Sequence, residues 1–171
     1  MKATQLILLI ILGFASACRA DTTNIFAIYL TAEPVDRRIL AYGTGDWSNV
    51  KLQATPLISE TDVVVYNFTN HWVTLKPEVF KRLPPPSIPG TPFVVIANGE
   101  RIYLGAFTTP SSSIPVFVPS IISEGRQWYT NLPPDTLQID RGYPGPRKLT
   151  DPDPRPDDRI KRALATLHKL K

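Results

Sequence analysis

Residues 93–104 read FVVIA-NG-ERIYL and decide the fold. Two runs rich in β-branched and aromatic residues flank an Asn-Gly pair at 98–99, which tolerates the positive φ angles of a two-residue type I′ turn. The spacing predicts a β-hairpin and, counting outward from the turn, pairs Val95 with Ile102. Because both strands are mostly apolar, we expect the hairpin to lie centrally in a sheet with at least one covered face.

Alternating apolar residues on both sides of the hairpin predict further strands. We expect strands at 24–30, 50–57 and 71–75. Residues 114–122 contain two prolines, which restrict a strand there to a sheet edge. Residues 33–49 combine proline and glycine with scattered polar groups and are predicted to be mostly loop.

Two short helices are predicted between these strands. Ser59 is followed three residues later by Asp62, the spacing of a capping box, so we expect a helix to begin there. Residues 77–83 begin with proline, carry an acid in the first turn and bases in the last, and precede three prolines. Together these patterns predict an α+β fold: a small mixed or antiparallel sheet with a central hairpin and two short helices.

Residues 56–107 are similar to the periplasmic head of an accessory component of the Sec translocase. The shared features are an acid-capped short helix, a strand, a second helix and a hairpin around Ala97-Asn98-Gly99. The resemblance implies a related α+β arrangement over this segment and no shared function.

The N-terminus has the layout of a secretory signal peptide: Lys2, an apolar run over 6–17, and small residues at its end. The run of 12 residues is shorter than the roughly 18 that span a bilayer. Ala15-Ser16-Ala17 precedes Cys18, the single cysteine of the chain. This segment resembles a bacterial lipoprotein precursor. An ordinary secretory signal is the alternative.

The lipoprotein resemblance implies that residues 1–17 are removed and that Cys18 is lipidated. It places the mature protein in the cell envelope, anchored to a membrane and facing the periplasm. Because Arg19 stands where an Asp is the usual signal for retention in the inner membrane, the outer membrane is slightly favoured.

Beyond residue 140 prolines interleave with charges, which predicts an extended linker at 141–157. Apolar residues then recur at helical spacing, and Asp157 or Asp158 precedes them as a cap, so 158–171 is predicted to be a basic amphipathic helix. Docking on the domain, an anionic membrane surface and a partner groove all fit this helix. The predicted organisation is a signal peptide (1–17), a lipidated N-terminus (18–21), an α+β domain (22–140), a proline-rich linker (141–157) and the C-terminal helix (158–171).

The formal net charge of +4 belongs largely to the tail, since 140–171 contains nine basic and five acidic residues while 20–139 contains eight and ten. A nucleic-acid binder carries a basic stripe on its folded face, so we expect no nucleic-acid partner. One Cys and two His exclude a disulfide scaffold and the common zinc-thiolate sites. No metal or cofactor is expected.

Two sets of residues are candidates for function. His71 is the candidate general base of an exported hydrolase, with a serine at 111–113 or Ser120 as nucleophile, but no serine lies in a Gly-x-Ser-x-Gly elbow. Trp128 and Tyr129 are the candidate partner-binding pair, because aromatic side chains anchor interfaces. We expect a non-catalytic, lipid-anchored envelope protein that acts as an accessory or binding module. The alternatives are the hydrolase and a structural spacer.

Overall fold

The computed structural model describes residues 24–124 and 127–171. The protein is a mixed strand-and-helix fold with about 30% strand and 15% helix, which agrees with the predicted α+β class. In chain order the elements are β1 (Phe26–Leu30), α1 (Arg37–Tyr42), β2 (Ile58–Ser59), β3 (Val63–Asn67), β4 (Trp72–Leu75), a 3₁₀ helix (Pro77–Arg82), β5 (Thr91–Ala97), β6 (Glu100–Thr108), β7 (Ser120–Ile122), β8 (Thr136–Gln138) and α2 (Asp158–Thr166).

The strands are divided between two sheets. The first has the order β2-β1-β5-β6-β7, and the second has the order β3-β4-β8. Among the named strands of the described residues, only the β6–β7 pair is parallel.

The β5–β6 hairpin occupies the centre of the first sheet. Asn98 and Gly99 have φ angles of 51° and 77°, as a type I′ turn requires. The predicted pairing of Val95 with Ile102 is wrong, because Val95 pairs with Tyr103. A bulge gives β6 one residue more than β5 near the turn, and this extra residue shifts the register of the rest of the hairpin.

The first sheet is covered on both faces. Alternate residues of β1 and β5 belong to two separate apolar cores, and a sheet buried on both faces has nearly continuous apolar strands. The second sheet and α2 cover one face, while α1 and neighbouring loops cover the other. The first core includes Phe26, Ile28, Phe93, Val95, Tyr66, Val73, Leu137 and Leu164, and the second includes Ala27, Tyr29, Val94, Ile96, Ile39, Leu40 and Val116.

The helix predicted to begin at Ser59 is not formed. Ser59 and Asp62 make a turn instead: the amide of Asp62 donates to the carbonyl of Ser59 at 3.0 Å, and the Asp62 carboxylate accepts from the amide of Ser59 at 2.8 Å. The β-branched residues at 63–65 then continue as β3, since branching at Cβ disfavours a helix. The helix predicted at 77–83 is confirmed as the 3₁₀ helix.

The predicted loop at 33–49 contains α1. The Asp36 carboxylate accepts from the amide of Arg38 at 2.9 Å and caps this helix, and Gly43 ends it with a φ angle of 65°. The strand predicted at 50–57 reduces to one bridge between Leu52 and Thr31.

The chain beyond residue 140 lies against the body. Tyr143 and Val116 exchange two backbone hydrogen bonds of 2.7 and 2.8 Å. Helix α2 buries Ile160, Ala163 and Leu164 in the first core. Of the placements that the sequence leaves open for this helix, docking on the domain is the one seen. Among the described residues, no helix is long and apolar enough to cross a bilayer.

Candidate functional site

The two residues of the predicted partner-binding pair lie in different environments. Trp128 is exposed over 52% of its surface. Tyr129 is half-buried, and its hydroxyl donates to the carboxylate of Asp140. Burial, together with the hydrogen bond to Asp140, raises the pKa of Tyr129 far above its ordinary value. The side chain of Tyr129 is therefore held in place as a neutral phenol. Trp128, the preceding residue, is exposed to solvent.

Hydrogen bonds extend from Tyr129 across the second sheet. The side-chain Nε2 of Gln138 donates to the Asp140 carboxylate at 2.6 Å, and Trp72 Nε1 donates to Gln138 Oε1 at 3.1 Å. These contacts join Tyr129, Asp140, Gln138 and Trp72 in one continuous chain. We call these four residues together with Trp128 the aromatic-polar surface.

The strand register places two members of this surface, Trp72 and Gln138, on the outward side of the second sheet. Trp72 of β4 lies directly opposite Gln138 of β8. Their neighbours Val73 and Leu137 point the other way and are buried, because successive side chains alternate between the faces of a strand. The alternation of residue types at 71–75 separates Trp72 from the buried Val73 and Leu75, whereas no local pattern identifies Gln138 or Asp140 as neighbours of Trp72.

His71 is buried and immediately precedes β4. Its Nδ1 is 3.2 Å from the hydroxyl of Tyr66. Burial lowers the pKa of His71 to about 4, and the positive charge of Arg155 acts in the same direction. Within the described residues no serine forms a hydrogen bond with His71, and Ser112 Oγ donates to the carbonyl of Ile88 at 2.9 Å. The residues of the predicted hydrolase are thus not joined by hydrogen bonds.

An ion pair within the proline-rich segment is joined to the end of β8. Arg155 Nη2 and Asp153 Oδ2 are 2.6 Å apart, and Arg155 Nη1 donates to the carbonyl of Ile139 at 2.8 Å. Burial raises the pKa of Asp153, but the hydrogen bonds from Arg155 outweigh it and hold that pKa below its ordinary value. The pair fixes the path of 153–155 beside β8.

No family model matches the chain. Comparisons with curated proteins and with solved structures also find no match. Over 24–124 and 127–171, no group of three or more His, Cys, Asp or Glu residues is placed to hold a metal ion. The predicted signal peptide (1–17), the predicted lipidation site Cys18 and the rest of the predicted lipidated N-terminus (18–21) lie outside the described residues.

Proposed function

We propose that this protein is a non-catalytic, lipid-anchored module of the cell envelope that binds another envelope protein through its aromatic-polar surface. The observation that carries the proposal is the exposed Trp128, next in sequence to Tyr129, from which hydrogen-bonded side chains run to Trp72. Tryptophan and tyrosine are among the residues most enriched where interfaces gain their affinity.

The hydrogen bonds favour binding because they fix the side chains before a partner arrives. Association costs roughly 0.5–1.5 kcal/mol for each mobile side chain that becomes ordered. Tyr129 and Trp72 already donate to fixed acceptors, so ordering them costs little. Their rings can therefore present a defined surface to a partner, with Trp128 as the protruding side chain.

The anchor rests on the N-terminal sequence, in which the single cysteine directly follows Ala15-Ser16-Ala17. Strand β1 begins at Phe26, eight residues beyond Cys18. An extended chain spans at most about 3.6 Å per residue, so this tether holds β1 within about 30 Å of the lipid. A lipidated Cys18 would keep the domain at the membrane surface, where envelope partners are concentrated.

The anchor is tested by labelling cells with radioactive palmitate. We expect the wild-type chain to take up label and to fractionate with membranes, and Cys18→Ala to lose both properties. A wild-type chain that never takes up label would show the anchor assignment to be wrong, without bearing on the aromatic-polar surface.

The binding surface is tested by cross-linking intact cell envelopes and identifying what is captured by the wild type and by two variants. Trp128→Ala removes the exposed indole of the surface. Tyr42→Ala is the matched control, because Tyr42 on α1 is equally exposed, at 53%, and lies outside the surface. We expect one envelope protein to be lost with Trp128→Ala and retained with Tyr42→Ala. Equal capture by both variants would refute the surface and leave the anchor standing.

A further inference from the structure

A cavity of about 200 Å³ lies between β6 and the proline-rich segment. None of the residues that line it belongs to the aromatic-polar surface. An engineered cavity of about 150 Å³ accepts benzene, so this one has room for a single ring with a small substituent. Trp47, Phe117, Arg141, Arg147 and Asp151 are among the residues that line it.

Arg141 lines the cavity. Its Nη2 donates to the backbone carbonyl of Asp151, which holds the guanidinium in place. Its Nε is buried, has almost no accessible surface and lies 3.9 Å from a carboxylate oxygen of Asp153. A ligand in the cavity would therefore meet the terminal nitrogens of this guanidinium, and hydrogen bonds to a charged group are the stronger ones.

A second guanidinium, that of Arg147, lines the same cavity and forms no ion pair within the described part of the chain. The one carboxylate in the lining, that of Asp151, accepts from the backbone amide of Lys148 at 3.1 Å. The lining therefore carries two positive side chains and one negative one, and the negative one already accepts a hydrogen bond. Planar guanidinium groups are matched in shape and charge by carboxylates.

The remaining walls are apolar and stiff. Four prolines contribute to them, and proline has a fixed φ angle. Trp47 adds a flat, half-buried indole, and Phe117 adds a second ring. Such walls keep their shape without a ligand, which lowers the entropic cost of filling the cavity.

We infer that this cavity binds a small organic carboxylate, with its carboxylate at Arg141 and Arg147 and a flat apolar body against Trp47 and the prolines. The inference goes beyond the proposed function, because it concerns a small molecule and different side chains. Failure of either proposal leaves the other intact.

The test is a titration of the full ¹⁵N-labelled chain in detergent with benzoate, followed by NMR. We expect saturable shifts of the Trp47 indole N–H and of the Arg141 Nε–H. Benzamide has the same shape without the charge, and we expect it to bind at least about tenfold more weakly, since hydrogen bonds to charged groups are the stronger ones. Equal binding of benzamide, or no saturable shift with benzoate up to about 10 mM, would overturn the inference.

Variants of two neighbouring exposed cations distinguish binding at the cavity from a general attraction of benzoate to positive charge. Arg147→Gln removes a lining guanidinium, and Lys148→Gln removes a charge that lies outside the lining. We expect benzoate affinity to fall severalfold with Arg147→Gln and to change less than about twofold with Lys148→Gln, because an exposed charge outside the site is screened. Both side chains are exposed, so the fold should tolerate either change. Equal effects of the two variants would contradict a defined carboxylate site.

Discussion

The hydroxyl of Tyr66 lies 3.2 Å from Nδ1 of His71, and both side chains are buried. Arg155 and Asp153 are the charged groups that act on this imidazole, and they form an ion pair with each other. The imidazole therefore has no free carboxylate to stabilise a proton, and the native protein holds it neutral.

Stability should fall as the pH is lowered because of His71. Its folded pKa of about 4 lies below the ordinary value of 6.5, so the unfolded chain binds the proton more tightly. The contribution of neutral His71 to the free energy of unfolding is complete above pH 6.5 and is lost as the pH falls toward 4. Each unit of pKa difference between the folded and unfolded chain corresponds to about 1.4 kcal/mol. We therefore expect urea unfolding to show that the free energy of unfolding decreases by about 2 kcal/mol between pH 7 and 5.

The two histidines provide matched variants for this measurement. His71→Gln should flatten the dependence between pH 7 and 5, even though the variant itself is less stable. His168→Gln changes a histidine that is not buried and should keep the full dependence. A slope that persists in His71→Gln would assign the effect to other groups.

Gly105 is the position in β6 where a side chain does not fit. An added Cβ would lie 2.6 Å from Cε2 of Phe93 and 2.6 Å from the carbonyl oxygen of Pro119. The Phe93 ring is fully buried and cannot move aside freely. We expect Gly105→Ala to lower the free energy of unfolding by about 1–3 kcal/mol, the usual cost of overpacking a core.

Gly145→Ala is the control, since a Cβ at Gly145 meets nothing within 4 Å. Its denaturant midpoint should stay close to that of the wild type. A Gly105→Ala variant as stable as Gly145→Ala would mean that the Phe93 contact relaxes at no cost.

Elements encoded by neighbouring residues were predictable from the sequence. The Asn98-Gly99 turn needs only its own two residues, and the hairpin is found where they indicate. The turn at 59–62 shows the limit of such patterns. A Ser followed by an acid three residues later satisfies amide groups in a turn as well as in a helix, and only the β-branched residues beyond it decide for a strand.

Contacts between distant residues could not be predicted, because no local pattern encodes them. The partner of Tyr129 is 11 residues away and that of Trp72 is 66 residues away. The bulge that shifts the hairpin register is likewise not encoded by the two turn residues. The aromatic pair at 128–129 could be identified from the sequence, but the polar residues that hold Tyr129 in place could be identified only from the structure.

Asp157 is the N-cap residue of α2 and should stabilise this helix mainly through its capping hydrogen bond. Its carboxylate accepts from the amide of Arg159 at 2.8 Å and also pairs with the Arg159 side chain. Because Arg159 is more than a third exposed, the ion pair contributes little. We expect Asp157→Ala to cost about 0.5–2 kcal/mol in urea unfolding. Asp157→Asn keeps the capping oxygen without the charge and should recover most of this loss. An Asn variant as unstable as the Ala variant would point to the ion pair instead.

The last three residues protect the outer edge of β3. The amide of Tyr66 donates to the carbonyl of Lys169 at 2.7 Å, and the amide of Lys171 donates to the carbonyl of Tyr66 at 2.9 Å. Deleting 169–171 leaves these edge groups without partners and exposes a strand that can pair with another chain. We expect faster hydrogen exchange at Tyr66 and a loss of about 1–3 kcal/mol in the free energy of unfolding.

Lys171→Ala is the matched control for this deletion, because it removes an exposed side chain and keeps the backbone that pairs with Tyr66. The Tyr66 amide should remain protected in this variant and exchange rapidly in the deletion. If it stays protected in both, the hydrogen bonds to 169–171 do not determine the stability of the edge. If it is exposed in both, the lysine side chain rather than the added backbone closes the sheet.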